Sequence, residues 1–427
     1  MTDAVDRLSG LSSSAGASAR WVRSGLALLT GDQTPVLPRR DVAGALEAIT
    51  ARAQEAVGRG GADLDLRLFC ERGAELGLSR HGSVSANGAA RMIAAADGWL
   101  AVNLARPDDI DLLPAWLGAE TSGDPWTAIE RAARRRTAAD LTETGQALGL
   151  PVAPVGGWDV AGGTTGGARL EQMATGQGEP VRAPLVIDLS SLWAGPLCAH
   201  TLGLAGARVI KVESAGRPDA ARSGPRAFFD RLHAGHEAVM LDFATREGRG
   251  QLSRLLARAD VVIEGTRPRA FEQLGIEIGA AFEANPALVW VSLTAYGRTA
   301  PWRNRVGFGD DAAAAGGLVV RAGDGRPMFI GDALADPIAG VLAATEALAA
   351  LARGGGVLVD MALREAAALV AAAAPVPDDE IGEVHGGEGG WRWFGDGAAL
   401  SPPTARPEAA AAASAGRHTA AVLAELT

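Results

Sequence analysis

One stretch of this chain places an acid at the entry to a helix. Gly331-Asp332-Ala333-Leu334-Ala335-Asp336-Pro337-Ile338-Ala339-Gly340 runs directly into an Ala/Leu-rich segment. A carboxylate at Asp336 has two uses there. It can cap free backbone N–H groups, with Pro337 suited to the first helical position, or it can attack an activated carbonyl and carry an acyl group. The spacing leaves both open, the cap being the commoner use of Asp before Pro. Upstream stands Tyr296, the only tyrosine, and then Gly307-Phe308-Gly309-Asp310-Asp311. Paired carboxylates can do acid–base work or hold a metal. Adjacent helical residues point apart, however, so a solvated helix start is expected at Asp310 and Asp311, and Tyr296 is expected to pack. The histidines (His81, His200, His233, His236, His385 and His418) show no metal-ligand clustering, and no G-x-S-x-G elbow occurs. Metal-assisted hydrolysis and serine-type acyl transfer are thereby disfavoured.

Such residues need elements to hold them. From Pro184 onward short apolar runs alternate with helical stretches: strands at Leu185 to Leu189, Arg208 to Val212, Ala238 to Leu241, Val261 to Glu264, Leu288 to Leu293 and Val357 to Val359, with helices at Gly248 to Arg258 and Ala335 to Leu351. This rhythm predicts an α/β fold, a Rossmann-like doubly wound parallel sheet. Ligands of such sheets settle beyond the carboxyl ends of the strands. The first loop there is Ser190-Ser191-Leu192-Trp193-Ala194-Gly195-Pro196, small enough to admit a ligand to the backbone or to be an ordinary tight turn. Glu213, at the end of the next strand, could bind a ribose. No G-x-G-x-x-G opens the first helix, so NAD is disfavoured and Glu213 reads as a surface charge.

Before Pro184 the chain reads differently. Arg40 to Val57 and Trp126 to Leu148 have helical periodicity, with a strand at Trp99 to Leu104 between them. Residues 1–155 are expected to form a smaller, mostly helical α+β domain. Residues 156–183, with glycine pairs at 156, 162 and 166, have linker composition. Residues 184–370 would be the sheet domain, and 371–427 a loop (372–397) followed by a helix at Glu408 to Leu426. No fixed-period repeat is found.

The chain has 427 residues, with 40 basic and 50 acidic side chains and a formal charge of -10, so nucleic acid is not an expected partner. Cys70 and Cys198 stand far apart, which gives no disulfide framework or C-x-x-C site and fits a reducing cytoplasm. No apolar leader or membrane-spanning run is read, so no membrane partner is expected. The single lysine is Lys211.

Leu185 to Pro196, Gly203 to Glu213, Ala238 to Asp242, Ala259 to Gly275, Asn285 to Gly297 and Ala335-Asp336-x-x-x-Gly340 together resemble, in order and spacing, the family III CoA-transferases, which include formyl-CoA and carnitinyl-CoA transferases and acyl-CoA racemases. The resemblance implies that Asp336 is the catalytic aspartate and that the enzyme moves CoA from an acyl-CoA to a carboxylic acid through an aspartyl anhydride and an aspartyl-CoA thioester. It implies CoA contacts at Trp193, Ala194, Leu241, Asp242, Phe243, Ala244, Gly265, Thr266, Arg267, Phe308 and Gly309. It also implies a homodimer, with acyl-CoA as substrate, no tightly bound cofactor and no metal. Ser214 and Gln273 stand where the family has CoA-facing arginines, with Arg217, Arg267 and Arg269 nearby. Phe308 stands where racemases keep a histidine. Residues 96–155 resemble the family's small domain, here placed before the large one, and Gly386 to Gly390 is a candidate lid. An acyl-CoA isomerase using Asp336 with Asp310 or Asp311, or a silent CoA-binding protein, stays open beside the transferase.

Overall fold

The computed structural model describes residues 16–58, 64–120, 123–156, 167–175, 183–387, 390–395 and 397–426. Helices α1 (Ala17–Arg23), α2 (Val42–Val57) and α3 (Glu71–Leu76) come first. Asp41 starts α2 by accepting from the Gly44 N–H at 2.9 Å. Then follow β1 (Ala90–Ala94) and β2 (Trp99–Asn103), helices α4 (Pro107–Asp111), α5 (Leu113–Leu117), α6 (Pro125–Ala133) and α7 (Ala138–Leu148), and β3 (Val152–Pro154). The three strands form one antiparallel sheet in the order β1-β2-β3. Trp126 to Leu148 reads as one helical run but is two helices, because the Thr137 hydroxyl accepts from the Asp140 N–H at 3.1 Å and starts α7 afresh.

The main sheet is built from β4 (Ala168–Gln172), β5 (Leu185–Asp188), β6 (Arg208–Ser214), β7 (Glu237–Leu241), β8 (Val261–Glu264), β9 (Val289–Thr294) and, after a small β10 (Val319–Arg321) and β11 (Pro327–Phe329) hairpin, β12 (Val357–Ala362). Its order is β4-β12-β9-β8-β5-β6-β7. Six strands are parallel, and β4 pairs antiparallel with β12. Residues 168–172, inside the expected linker, thus close one edge of the sheet. The helices between strands are α8 (Ala194–Leu204), α9 (Arg226–His233), α10 (Arg246–Arg258), α11 (Pro268–Leu274), α12 (Ile278–Ala284), α13 (Gly309–Ala315) and α14 (Ala335–Ala352), with α15 (Leu363–Ala371) after β12.

Strand alternation divides the core. Val186, Val209, Ile263, Val289, Val291 and Val359 face α8 and α14, whereas Ile187, Ile210, Val262, Trp290 and Leu358 face α10, α11 and α12. Both faces are covered, which is why these strands read as continuous apolar runs. α14 has the length and apolar composition of a membrane-crossing helix, yet most of it is buried inside the fold. It approaches α8 so closely that a Cβ on Gly340 would stand 2.5 Å from the Ala194 carbonyl oxygen.

The first helices join this same core. Trp21, Val22, Leu46 and Ile49 pack in one cluster with Ile338 and Leu342 of α14, each large side chain contributing about 1.5–3 kcal/mol. Residues 90–152 keep a core of their own around Leu100, Trp116, Ile129, Leu141 and Val152. The stretch read as one N-terminal unit therefore divides its packing between two cores. Helical periodicity predicts α2 but not the surface it covers.

Two C-terminal expectations are corrected. Within 372–397 lies a hairpin, β13 (Val384–Gly387) with β14 (Gly390–Trp393), and the final helix is only α16 (Thr419–Ala424). The Ala-rich run before it is extended because side chains of α9 and its flank take its backbone groups. Arg226 donates to the Ala412 carbonyl at 2.9 Å, Arg222 to that of Ala413 at 3.2 Å, and the Ala412 N–H donates to Asp230 at 2.8 Å. These bonds replace the helical ladder.

Candidate active site

Asp336 is the second residue of α14, and Leu334 occupies the cap position without a side-chain cap bond. The expectation that Asp336 itself caps the helix, with Pro337 first inside it, is corrected: the turn begins earlier because Ala333 takes φ +45° and redirects the chain. A non-glycine residue in that region is strained and is held by its surroundings. Gly309 lies against the Asp336 carboxyl: a Cβ there would be 2.5 Å from Oδ2 and 2.4 Å from the Ala333 carbonyl oxygen. Only glycine permits this approach.

Four aspartates gather at this point. Asp332 is fully buried and held by both arms of Arg72, Nε to Oδ2 at 2.7 Å and NH2 to Oδ1 at 2.6 Å. Asp310 and Asp311, expected at a solvated helix start, are buried instead. Asp310 accepts from the Ala333 N–H at 2.9 Å and from Asn87 at 3.3 Å. Asp311 accepts from the Phe308 N–H at 2.9 Å, from Asn103 at 3.2 Å and from the Tyr296 hydroxyl at 2.8 Å. The two carboxylates do point apart; each finds donors inside the protein, Asn87 beside β1 and Asn103 in β2.

Burial pushes the Asp336 carboxyl up to about 7, Arg72 opposing the rise and Asp310, Asp311 and Asp332 adding to it. Burial likewise raises Asp310 to about 7 and Asp311 to about 6. Desolvation acts against charge in all three, so Asp336 ionises near neutrality.

The loop after β5 forms the neighbouring wall. Leu192 takes φ +72° and leads into Trp193, which is buried and packs edge-on against Phe228 at 5.2 Å. The Arg72 guanidinium lies 4.9 Å from the Trp193 ring centre, and Ala194 opens α8 beside it. Beneath the loop, Lys211 donates to the Ser190 carbonyl at 2.9 Å and pairs with Asp219 at 3.0 Å, while Asp219 accepts the Leu192 N–H at 3.1 Å. Burial opposes the ammonium, but Asp188 and Asp219 outweigh it and hold its pKa above the ordinary value. Glu213, expected as a surface charge, is buried and bound by Arg222.

Arginines collect at the carboxyl ends of β6 and β8. Partial desolvation and then repulsion from Arg269, Arg106 and Arg217 lower the Arg267 pKa. Arg217, Arg267 and Arg269 are exposed, whereas Arg106 is paired with Asp109 and lies 5.8 Å from the Phe308 ring centre. Gly265 and Thr266 belong to the same loop, braced by Glu264, which accepts the Thr266 N–H at 2.8 Å. Ser214 ends β6 and Gln273 is exposed on α11. Leu241 ends β7 at the sheet edge and is buried in the core, and just beyond it Asp242 turns back to accept the Ala244 N–H at 3.0 Å. The structure thus lays Gly309 against Asp336, ties Trp193 to the aspartate group through Arg72, and sets Arg267 in a basic group.

Sequence reasoning missed Arg72, Arg106, Asn87 and Asn103, which come from residues outside the sheet region and carry no spacing signal. It also expected no gathering of histidines. His233 and His236 are buried with their rings 5.6 Å apart, and His200 beside them is half-buried. Burial, with nearby cations, pushes His200 to about 3 and His236 to about 4. Among the described residues no group of His, Cys, Asp and Glu could hold a metal.

Residues 184–392 match CoA-transferase family III. The chain is 35% identical over 219 residues to an acyl-CoA transferase of Fusarium pseudograminearum, covering 46% of this chain and 48% of that protein. It is 33% identical over 193 residues to the succinyl-CoA–D-citramalate CoA-transferase of Chloroflexus aurantiacus, covering 42% and 48%. A solved CAIB/BAIF family protein from Brucella suis matches at 31% identity with a TM-score of 0.45, covering 50% of this chain and 65% of that one. The chain spans about half the length of the curated relatives it matches.

Proposed function

We propose that this protein transfers CoA between carboxylic acids with Asp336 as nucleophile. The observation that supports this most is the half-buried Asp336 carboxyl at the start of α14, laid against Gly309 and ionising near neutrality, inside the family-matched stretch. A carboxylate oxygen of Asp336 attacks the thioester carbonyl, the C–S bond breaks, and CoA thiolate leaves a mixed anhydride on the enzyme. The thiolate attacks the aspartyl carbonyl and releases the donor carboxylate, leaving aspartyl-CoA. The acceptor carboxylate then attacks that thioester, and the freed thiolate takes the acceptor's acyl carbon, which restores Asp336. Every step passes between anions of one charge, so no proton is moved.

In this reading Trp193, Ala194, Phe308 and Gly309 border the thioester end, Gly265 and Thr266 line the approach, and Leu241 to Ala244 flank the nucleotide. Arg217, Arg267 and Arg269 serve the phosphates in place of arginines at 214 and 273. Residues 96–155 act as the small domain and Gly386 to Gly390 as the lid, of which Glu388 and Gly389 lie outside the described residues. A homodimer working in the cytoplasm completes the reading, in keeping with the buried, unbridged Cys70 and Cys198.

The test is intact-protein mass spectrometry of wild type and Asp336→Ala after mixing with a panel of acyl-CoAs, with and without hydroxylamine. A hydroxylamine-labile acyl or CoA adduct on wild type alone is the expected result; bound CoA with no adduct rejects the aspartyl route. The nearness of Asp310, with its carboxyl also at about 7, favours proton transfer as the second reading. That reading requires deuterium exchange at the α-carbon without an acceptor acid.

A further inference from the structure

The four aspartates of the site belong to the family-matched stretch, but the cation among them does not. Arg72 comes from α3, more than a hundred residues before residue 184. Its side chain bridges three elements. It grips both oxygens of Asp332 just ahead of α14, its guanidinium lies over Trp193 at the start of α8, and its charge acts on Asp310 at the start of α13 and on Asp336. The paired Asp332 is wholly buried, and a bidentate pair of this kind fixes orientation as well as charge.

We propose that Arg72 is a positioning residue of the transfer reaction, which locks the turn carrying Asp336 and supplies the counter-charge that lets this carboxyl act as an anion. The inference rests on Asp336 being the nucleophile. The charged groups facing that carboxyl are Arg72 from α3, Asp310 and Asp311 from α13 and Asp332 from the turn before α14; Arg305 and Arg364 act on Tyr296, one hydrogen bond further away. Without Arg72 the carboxyl would face three other aspartates and no cation of this group. Like charges at such range oppose ionisation.

Two measurements on the full chain test this. In the first, the aspartate carboxyls are labelled with 13C and titrated by NMR, the Asp336 signal being assigned with Asp336→Asn. In the second, the rate of adduct formation is followed against pH with acetyl-, propionyl- or succinyl-CoA, whichever labels wild type fastest. In Arg72→Met both the titration and the acid limb move up by about one pH unit, roughly a tenfold lower rate at pH 6, and the rate recovers at alkaline pH. Arg72→Lys restores part of the shift. Asp332→Asn removes a negative charge and frees Arg72, so it moves the limb down; this opposite direction keeps the test decisive if Arg72→Met does not fold. A uniform loss of rate with the titration unmoved overturns the proposal and leaves Arg72 a structural residue. Absence of any adduct on wild type rejects the nucleophile, and this inference with it.

Discussion

The Tyr296 phenol donates to Oδ2 of Asp311 at 2.8 Å deep in the core, and through Phe308 and Gly309 this bond fixes the floor on which Asp336 rests. Tyr296→Phe keeps the ring and removes the donor. A buried acceptor left short of one partner costs about 1–3 kcal/mol, and the Asp311 pKa, about 6 in the native chain, rises further. Urea unfolding at pH 8 should show the loss, and the difference from wild type should shrink toward pH 4, where the carboxyl is protonated.

Asp336 should weaken the fold it serves. Its folded pKa, about 7, lies above the ordinary value of 3.8, so its contribution is most favourable at low pH and is lost as pH rises from about 4 through 7. Asp336→Asn is therefore expected to be more stable than wild type at pH 8, by on the order of 1–2 kcal/mol, and equal to it near pH 4. Equal stabilities at pH 8 would contradict the raised pKa.

Gly309→Ala places a methyl where the Ala333 carbonyl and the Asp336 carboxyl already stand. The carboxyl must shift by a good fraction of an ångström, which for the nucleophile we propose Asp336 to be costs about 100-fold in adduct formation. CoA affinity, measured by calorimetry, should stay within about threefold, since the basic group around Arg267 is untouched.

Arg267→Glu reverses one charge within the group formed with Arg106, Arg217 and Arg269. The Kd for CoA is expected to rise about tenfold or more. Added NaCl should weaken wild type more steeply than the variant, because the interaction lost is screened by salt. An unchanged Kd would remove these arginines from the CoA site.

The parallel sheet was readable because both of its faces are covered: runs such as Val261 to Glu264 have no polar side to confuse the pattern. Asp336 was singled out through its surroundings, Gly331 to Gly340, and the helix read from Ala335 onward is found there. Asp310 and Asp311 were misread because adjacency argued for solvent, whereas their partners, Asn87 and Asn103, lie more than two hundred residues away in sequence. Arg72 gave no signal at all, since one arginine on a six-residue helix acquires meaning only when Asp332 and Trp193 are beside it. The Ala-rich tail before α16 failed for the converse reason, its local preference for helix giving way to Arg222, Arg226 and Asp230.

Lys211, sealed between Ser190 and Asp219 under the first loop, is the chain's only lysine. In the native fold no other side-chain amine can meet an acetylating, crosslinking or isopeptide-forming reagent, and this one is enclosed, with 1% of its side chain accessible. Modification at Lys211 would therefore report the lifting of the Ser190 loop and Asp219 away from β6, giving the protein a built-in chemical clock for the opening of that corner.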